Sequence, residues 1–220
     1  MPGTNKIEEL LPGNMYHIYK RGNNKENLFI EEKNYFYFLN LWRKHISPLA
    51  DTFAYCLLKN HFHFLIRIKP EELLLNFKAL PKTVQLKKLF LSQEETIRKI
   101  LSQQFSNFFN AYAKSINSVY ERTGSLFQER FRRKSIDSDN YFTEIIFYIH
   151  ANAQKHGLVN DFRGYPHSSY LSLLSDHATL LMRKEVIDGF GGREAFIKYH
   201  ERYRISLINE KNFLEHLNDD

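Results

Sequence analysis

Two apolar runs separated by two polar residues constrain the fold of this chain more than any other feature. Asp51 to Leu58 has the sequence DTFAYCLL and His61 to Ile68 has the sequence HFHFLIRI, with only Lys59 and Asn60 between them. A two-residue connection between two such runs is typical of antiparallel strands joined in a hairpin. We therefore predict a β-hairpin at this point of the chain.

Strand and helix patterns alternate around this hairpin. We predict a strand at 15–22, a helix at 31–48, a long helical region at 85–120 with a break near Ser92 or Ser102, a loop and strand at 124–136, and a helix at 137–157. This order is that of a ferredoxin-like α+β fold, an antiparallel sheet with packed helices. We assign that domain to residues 1–170. Residues 171–220 then form a helical C-terminal extension, in which two short helices flank the glycine-rich turn at 189–192.

Composition narrows the functional classes only modestly. The 220 residues are 43% hydrophobic and 15% aromatic, and they carry a formal net charge of +6. That excess suits a polyanionic partner and is equally compatible with ordinary solubility. The single cysteine, Cys56, excludes a disulfide framework or a thiolate metal cluster within one chain. The N-terminal MPGTNKIEELLPG has no apolar signal core and no stretch approaches the length of a membrane span, so we expect a cytoplasmic protein without membrane contact.

Two histidines stand two residues apart in the third predicted strand. Residues at this spacing share one face of a strand, so His61 and His63 lie opposite Phe62 and Phe64. The phenylalanines account for the core, and the two imidazoles are free to converge on one metal ion. The simpler alternative is a pair of half-buried histidines that only form hydrogen bonds.

The predicted helix at 137–157 carries a polar stripe beside its apolar one. Tyr148, Asn152 and His156 are spaced four residues apart, which places them on one side of the helix. A boundary tyrosine with a buried ring and a solvated hydroxyl is a common structural feature. A tyrosine hydroxyl beside a divalent ion, however, can attack phosphorus. Together with the histidine pair, the helix indicates a site for phosphodiester transesterification.

The quoted segments resemble a known family. YCLLKNHFHFLIRI, RTGSLFQERFRRKSI and YIHANAQKHGLV, in this order and with YHIYKRGNN and HSSY, are similar to the HUH-type single-tyrosine transposases and most similar to the REP-associated tyrosine transposases. The resemblance covers about residues 15–170. It implies a ferredoxin-like fold and cleavage of single-stranded DNA beside a hairpin, with the tyrosine linked to the 5′ phosphate and a divalent ion, Mg²⁺ or Mn²⁺, as cofactor.

The resemblance also implies roles for individual residues. His61 and His63 correspond to metal ligands, and Tyr148 corresponds to the nucleophile. Asn152 occupies the position at which many insertion-sequence relatives place glutamine as the third ligand, and its side chain is one methylene shorter. On ligand chemistry alone, two imidazoles would suit zinc equally well. The resemblance is also compatible with a monomer or a homodimer.

Basic and aromatic residues give candidate DNA contacts. The segment from Glu121 to Lys134 is rich in arginine interleaved with phenylalanine, which is typical of a backbone clamp with base stacking and also of a solvated edge strand. The candidates are Lys20, Arg21, Arg122, Phe127, Arg130, Arg132, Arg133, Lys134, Lys155 and His156. We interpret His17 as structural.

Three functional classes follow from these patterns. The leading hypothesis is a metal-dependent single-stranded DNA endonuclease and strand-transferase, nucleoid-associated when bound to DNA. The alternatives are a catalytically silent DNA-binding or regulatory module of the same fold, and a metal-dependent hydrolase of small phosphoesters. The hydrolase would need no basic aromatic segment and would form no stable protein–DNA adduct.

Overall fold

A computed structural model describes residues 8–77, 92–128, 131–136 and 138–209, with side chains described except at 139, 140 and 205–209. The strands are β1 (Met15–Arg21), β2 (Ala50–Leu58), β3 (His61–Ile68) and β4 (Arg132–Ile136). The helices are α1 (Glu32–His45), α2 (Glu71–Leu75), α3 (Gln93–Val119), α4 (Asp139–Lys155), α5 (Tyr170–Leu174), α6 (Arg183–Gly189) and α7 (Arg193–Asn209). None of the helices in these ranges is long and apolar enough to cross a membrane.

The four strands form one antiparallel sheet in the order β2-β3-β1-β4. This order follows from the predicted β–α–β–β–α–β succession and confirms the α+β, ferredoxin-like architecture. The β2–β3 hairpin is confirmed, with Leu58 paired to His61 across the two-residue turn. At the end of β1, Gly22 is required by its surroundings, because a Cβ at this position would collide with the carbonyl oxygen of Glu26.

One face of the sheet is covered by α1 and α3. The even-numbered residues of β3 enter this core, and Phe62, Phe64, Ile66 and Ile68 have no exposed surface. The indole ring of Trp42 from α1 stacks on Phe64 with 3.8 Å between ring centroids. This aromatic core fixes which face of β3 remains for the histidines.

The opposite face is covered by α4 and by the C-terminal helices. Ile145, Ile146 and Ile149 of α4 are buried against Leu65 of β3, as expected from the apolar stripe. Phe196 of α7 is buried in the same cluster. Residues 171–209 therefore pack against the sheet domain, and their helices flank the predicted glycine-rich turn.

The long second helix of the sandwich differs in detail from its predicted form. It begins at Gln93, where Ser92 accepts a hydrogen bond from the backbone N–H of Glu95 at 3.2 Å and caps the helix. It continues through Ser102 to Val119 without a break. The helix accommodates Ser102 because the adjacent residues Ile100 and Leu101 are buried in the core. The predicted helical residues 85–91 lie outside the described ranges.

Candidate active site

Strand pairing assembles one polar patch on the α4 side of the sheet. His61 pairs with Arg21 of β1, and His63 pairs with Tyr19. Tyr19 in turn pairs with Arg132 of β4. Because directly paired residues in an antiparallel sheet point to the same face, three strands contribute side chains to this patch.

A second row of the patch is formed by His17, which pairs with Leu65 of β3 and Lys134 of β4. His17 Nε2 lies 3.0 Å from His63 Nδ1. Its ring also stacks with Tyr19 at a centroid separation of 5.1 Å. The sequence indicated a structural role for His17, and the structure places this residue in direct contact with a candidate ligand.

The ring nitrogens of the histidine pair are unevenly satisfied. The His61 and His63 rings lie 5.1 Å apart by their centroids. His61 Nδ1 donates a hydrogen bond of 2.7 Å to the side-chain oxygen of Asn60. Nε2 of each ring is buried and has no hydrogen-bond partner among the described residues. Unpartnered buried polar atoms are uncommon in folded proteins and call for an explanation.

Helix α4 brings the predicted polar stripe onto this patch. The Tyr148 ring lies edge-on to His63 at 5.7 Å and to His17 at 5.8 Å, measured between centroids. One turn on, Asn152 is completely buried, and its amide nitrogen donates to the Tyr148 carbonyl oxygen at 2.7 Å. A further turn on, the His156 ring lies 4.7 Å from that of His61. The side-chain oxygen of Asn152 is the third buried atom here without a partner among the described residues.

Burial keeps the imidazoles of His17, His61 and His63 neutral. Burial, followed by the charge of Lys134, lowers the pKa of His17 to about 3. Burial, followed by the charges of His156, Arg21 and Lys155, lowers the pKa of His61 to about 3. The pKa of His63 is well below its ordinary value, again chiefly because of burial. Neutral imidazoles are the form that binds metal ions.

Several predicted DNA contacts surround the patch. Arg132 and Lys134 lie on the exposed edge strand β4, on the same face as the histidines. The Lys155 ammonium lies 5.0 Å from the centroid of the Tyr148 ring, within the range of a cation–π contact. Arg21 lies beside His61 in the sheet. His156 and Lys155 are exposed, so the patch opens to solvent at the end of α4.

Other predicted DNA contacts lie away from the patch. Lys20 is only 9% exposed and lies on the opposite face of the sheet, with its ammonium 5.1 Å from the Phe109 ring. Burial lowers the pKa of Lys20 to about 8. Phe127 is 6% exposed and packs on Phe109, so its ring belongs to the core. Arg133 also points away from the histidines and stacks over Phe131.

The two remaining arginines of the predicted clamp are Arg122 and Arg130. Arg122 forms an ion pair with Glu26 and donates a hydrogen bond of 2.9 Å to the side-chain oxygen of Asn117. These contacts tie it to the loop that follows β1. Arg130 lies outside the described residues.

The candidate ligand set fits a divalent cation. Three buried polar atoms have no partner in the described ranges, namely His61 Nε2, His63 Nε2 and Asn152 Oδ1, and imidazole nitrogen and amide oxygen both bind divalent metals. Within the same ranges no group of three histidine, cysteine, aspartate or glutamate side chains could hold a metal ion. An ion at this patch would therefore depend on the amide of Asn152 as its third protein ligand.

The site therefore consists of buried histidines of a four-stranded antiparallel sheet that face a tyrosine of α4. Comparison with solved structures finds a REP-associated tyrosine transposase bound to a REP hairpin, which has 14% sequence identity, covers 79% of this chain and 87% of its own, and has a TM-score of 0.51. That likeness establishes a shared fold. No protein-family model and no curated protein matches the sequence.

Proposed function

We propose that this chain is a metal-dependent single-stranded DNA endonuclease and strand-transferase that acts through a covalent 5′-phosphotyrosine at Tyr148. One observation carries the proposal. Three buried polar atoms, on His61, His63 and Asn152, have no partner in the described part of the chain and lie at one patch of the sheet with the Tyr148 ring. The solved neighbour of the same fold is a tyrosine transposase bound to a DNA hairpin, which supports DNA as the substrate.

The covalent step exchanges one phosphodiester for another. The Tyr148 oxygen forms a bond to phosphorus, and the bond between phosphorus and the 3′ oxygen breaks. The proton lost by the phenol is balanced by a proton taken up at the new 3′ hydroxyl. No high-energy cofactor is consumed, because the phosphotyrosine conserves the diester for transfer to a second strand.

His61, His63 and Asn152 would hold Mg²⁺ or Mn²⁺, and a bound ion would polarise the phosphoryl oxygen and offset the charge that develops there. The protein provides the rest of the arrangement. Sheet pairing fixes the two imidazoles, while the apolar face of α4 fixes the direction of Tyr148. Lys155 places a positive charge over the tyrosine ring, and a cation there would attract a phosphate toward Tyr148.

The cations on the histidine face suit the backbone of a single strand. Arg21, Arg132 and Lys134 lie in adjacent rows of the sheet on the same side as His63. A strand that follows this edge would place its phosphates along these side chains and one phosphate beside Tyr148. The solved neighbour is bound to a DNA hairpin, and a hairpin beside the cleavage site of this chain would hold that strand in register.

The substitution Tyr148→Phe tests the proposal. It keeps the ring that packs against His63 and removes only the hydroxyl, so folding and DNA affinity should persist. Wild-type protein incubated with labelled single-stranded hairpin DNA and Mn²⁺ should give an adduct that survives denaturing electrophoresis, and the variant should give none. Tyr141→Phe is the matched control, because Tyr141 lies on the same helix about 10 Å away at 1.5 Å per residue.

Mass spectrometry of the digested adduct then identifies the nucleophile. The nucleotide should be found on the peptide that contains Tyr148. Adduct formation by the Tyr148→Phe variant, or a nucleotide on another tyrosine, would refute the assignment.

A catalytically silent DNA-binding module is the second candidate, and one observation favours it. Tyr148 is only 3% exposed, so little of its surface is open to DNA in this conformation. The silent module predicts hairpin binding without any adduct at any Mn²⁺ concentration. The same gel experiment therefore separates the two functions.

A further inference from the structure

Both candidate metal-binding histidines have a polar neighbour at the same ring nitrogen. His61 Nδ1 contacts Asn60 at 2.7 Å, and His63 Nδ1 contacts His17 at 3.0 Å. In both rings the remaining nitrogen, Nε2, is buried and without a partner in the described part of the chain. The two rings therefore share one pattern, in which Nδ1 is held and Nε2 is available.

The contact with Asn60 determines where the His61 proton lies. The Asn60 amide nitrogen donates to the carbonyl oxygen of Lys25 at 3.4 Å, which orients the amide so that its oxygen faces His61. An amide oxygen can only accept, so His61 Nδ1 must carry the hydrogen. A neutral imidazole has a single N–H, and His61 Nε2 is consequently a bare lone pair.

In the contact between His17 Nε2 and His63 Nδ1, either ring can donate the hydrogen. If His17 donates, the proton of His63 must reside on Nε2, where a buried N–H would have no acceptor among the described residues. Leaving a buried donor unsatisfied costs about 1–3 kcal/mol. If His63 donates from Nδ1 to His17 Nε2, its own Nε2 keeps a lone pair that can bind a cation. Only the second arrangement is compatible with a metal ligand.

We propose that Asn60 and His17 are positioning residues that hold His61 and His63 in the tautomer with the proton on Nδ1, so that both Nε2 lone pairs are presented to one divalent cation. This inference rests on the proposed function for the identity of the site. Metal-bound histidines generally donate their second N–H to a fixed acceptor, and loss of that acceptor lowers metal affinity by about 10–100-fold. His17 is 1% exposed, so bulk solvent does not reach the contact between His17 and His63.

The tautomers can be measured in the metal-free wild-type protein. Nitrogen-15 NMR of histidine-labelled protein should show a protonated Nδ1 and an unprotonated Nε2 for both His61 and His63, with assignments taken from His61→Gln and His63→Gln. A protonated Nε2 on His63 would overturn the role of His17. The same result on His61 would overturn the role of Asn60.

Substitutions at residue 17 provide the second measurement, which uses Mn²⁺ alone and counts the free ion by electron paramagnetic resonance. His17→Leu removes the acceptor at similar volume and should weaken Mn²⁺ binding by about 10–100-fold. His17→Gln places an amide oxygen where Nε2 was, and should restore affinity close to that of the wild type. Phe38→Leu is the control for general destabilisation, because Phe38 is buried on the opposite face of the sheet.

Undiminished Mn²⁺ affinity in the leucine variant would refute the positioning role. If that variant does not fold, the wild-type tautomer and the glutamine variant still decide the question. The tautomer is read without metal or DNA, so the two proposals can fail separately. If the tautomers and the Mn²⁺ response are as expected but no Tyr148 adduct forms, only the strand-transferase proposal is refuted. If an adduct forms but the tautomer is the opposite one, only this inference is refuted.

Discussion

A buried histidine pair that links α7 to the tyrosine helix should make the fold sensitive to acid. His150 of α4 and His200 of α7 have no exposed surface, and their Nδ1 and Nε2 atoms lie 3.0 Å apart. His150 also contacts the Ser169 hydroxyl at 2.8 Å, and His200 contacts the Phe196 carbonyl oxygen at 2.8 Å. Burial holds the pKa of His150 well below its ordinary value and lowers that of His200 to about 3.

The direction of the effect follows from which state binds the proton. In the unfolded chain a histidine titrates near 6.5, so acid protonates the unfolded state first and stabilises it relative to the folded state. Stability is therefore complete above about pH 6.5 and falls progressively as the pH drops toward the folded pKa near 3. Between pH 7.5 and 5.5, one such histidine should cost about 1.4 kcal/mol of the free energy of unfolding, and the pair about twice that.

Urea unfolding at the two pH values, with EDTA present, measures this difference. His200→Gln removes one ring of this pair and leaves the other buried histidines in place, so its loss of unfolding free energy between pH 7.5 and 5.5 should be smaller than that of the wild type by about 1.4 kcal/mol. Phe196→Leu is the matched control. It removes a ring 4.1 Å from His200, and should lower stability equally at both pH values. An equal acid loss in the wild type and His200→Gln would show that this pair does not contribute to it.

Three further outcomes are expected. His61→Ala should abolish DNA cleavage in Mn²⁺ while leaving hairpin affinity largely intact, and unchanged cleavage rates would exclude a ligand role. Arg132→Gln should reduce the slope of log affinity against log salt for single-stranded DNA by about 0.7, the contribution of one neutralised phosphate, whereas Arg133→Gln on the opposite face should leave that slope unchanged. Phe64→Ala should lower the free energy of unfolding by about 3–5 kcal/mol, as measured by urea denaturation, because its ring is buried against Trp42.

Local periodicity was sufficient to predict the faces of β3 and α4. Alternation placed Phe62 and Phe64 opposite His61 and His63, and the four-residue spacing placed Tyr148 and Asn152 on one side of their helix. Both patterns depend only on backbone geometry within a single element. The sheet order followed from the succession of elements, because few topologies accommodate it.

Strand register and loop packing could not be predicted in this way. His17 contacts His63 across 46 positions of sequence, and that contact depends on how β1 aligns with β3. Lys20 and Arg21 were both candidate phosphate contacts, although adjacent strand residues point to opposite faces. Phe127 lies in the core because its loop returns beneath Lys20, a path that no local pattern in the loop determines.

The proposed metal site has an energetic consequence that can be tested at Asn152. Burying an unpartnered polar atom costs about 1–3 kcal/mol, and the three atoms on His61, His63 and Asn152 together cost about 3–9 kcal/mol if no ligand engages them. Stability must then come from the aromatic core on the other face of the sheet and from the apolar stripe of α4. A purely structural patch would be more stable with leucine at position 152, because Asn152 is completely buried beside apolar neighbours such as Ile149 and Ala153. An asparagine at this position is explained if its amide oxygen binds the metal ion. In that case Asn152→Leu should raise the free energy of unfolding of the metal-free protein and weaken its binding of Mn²⁺.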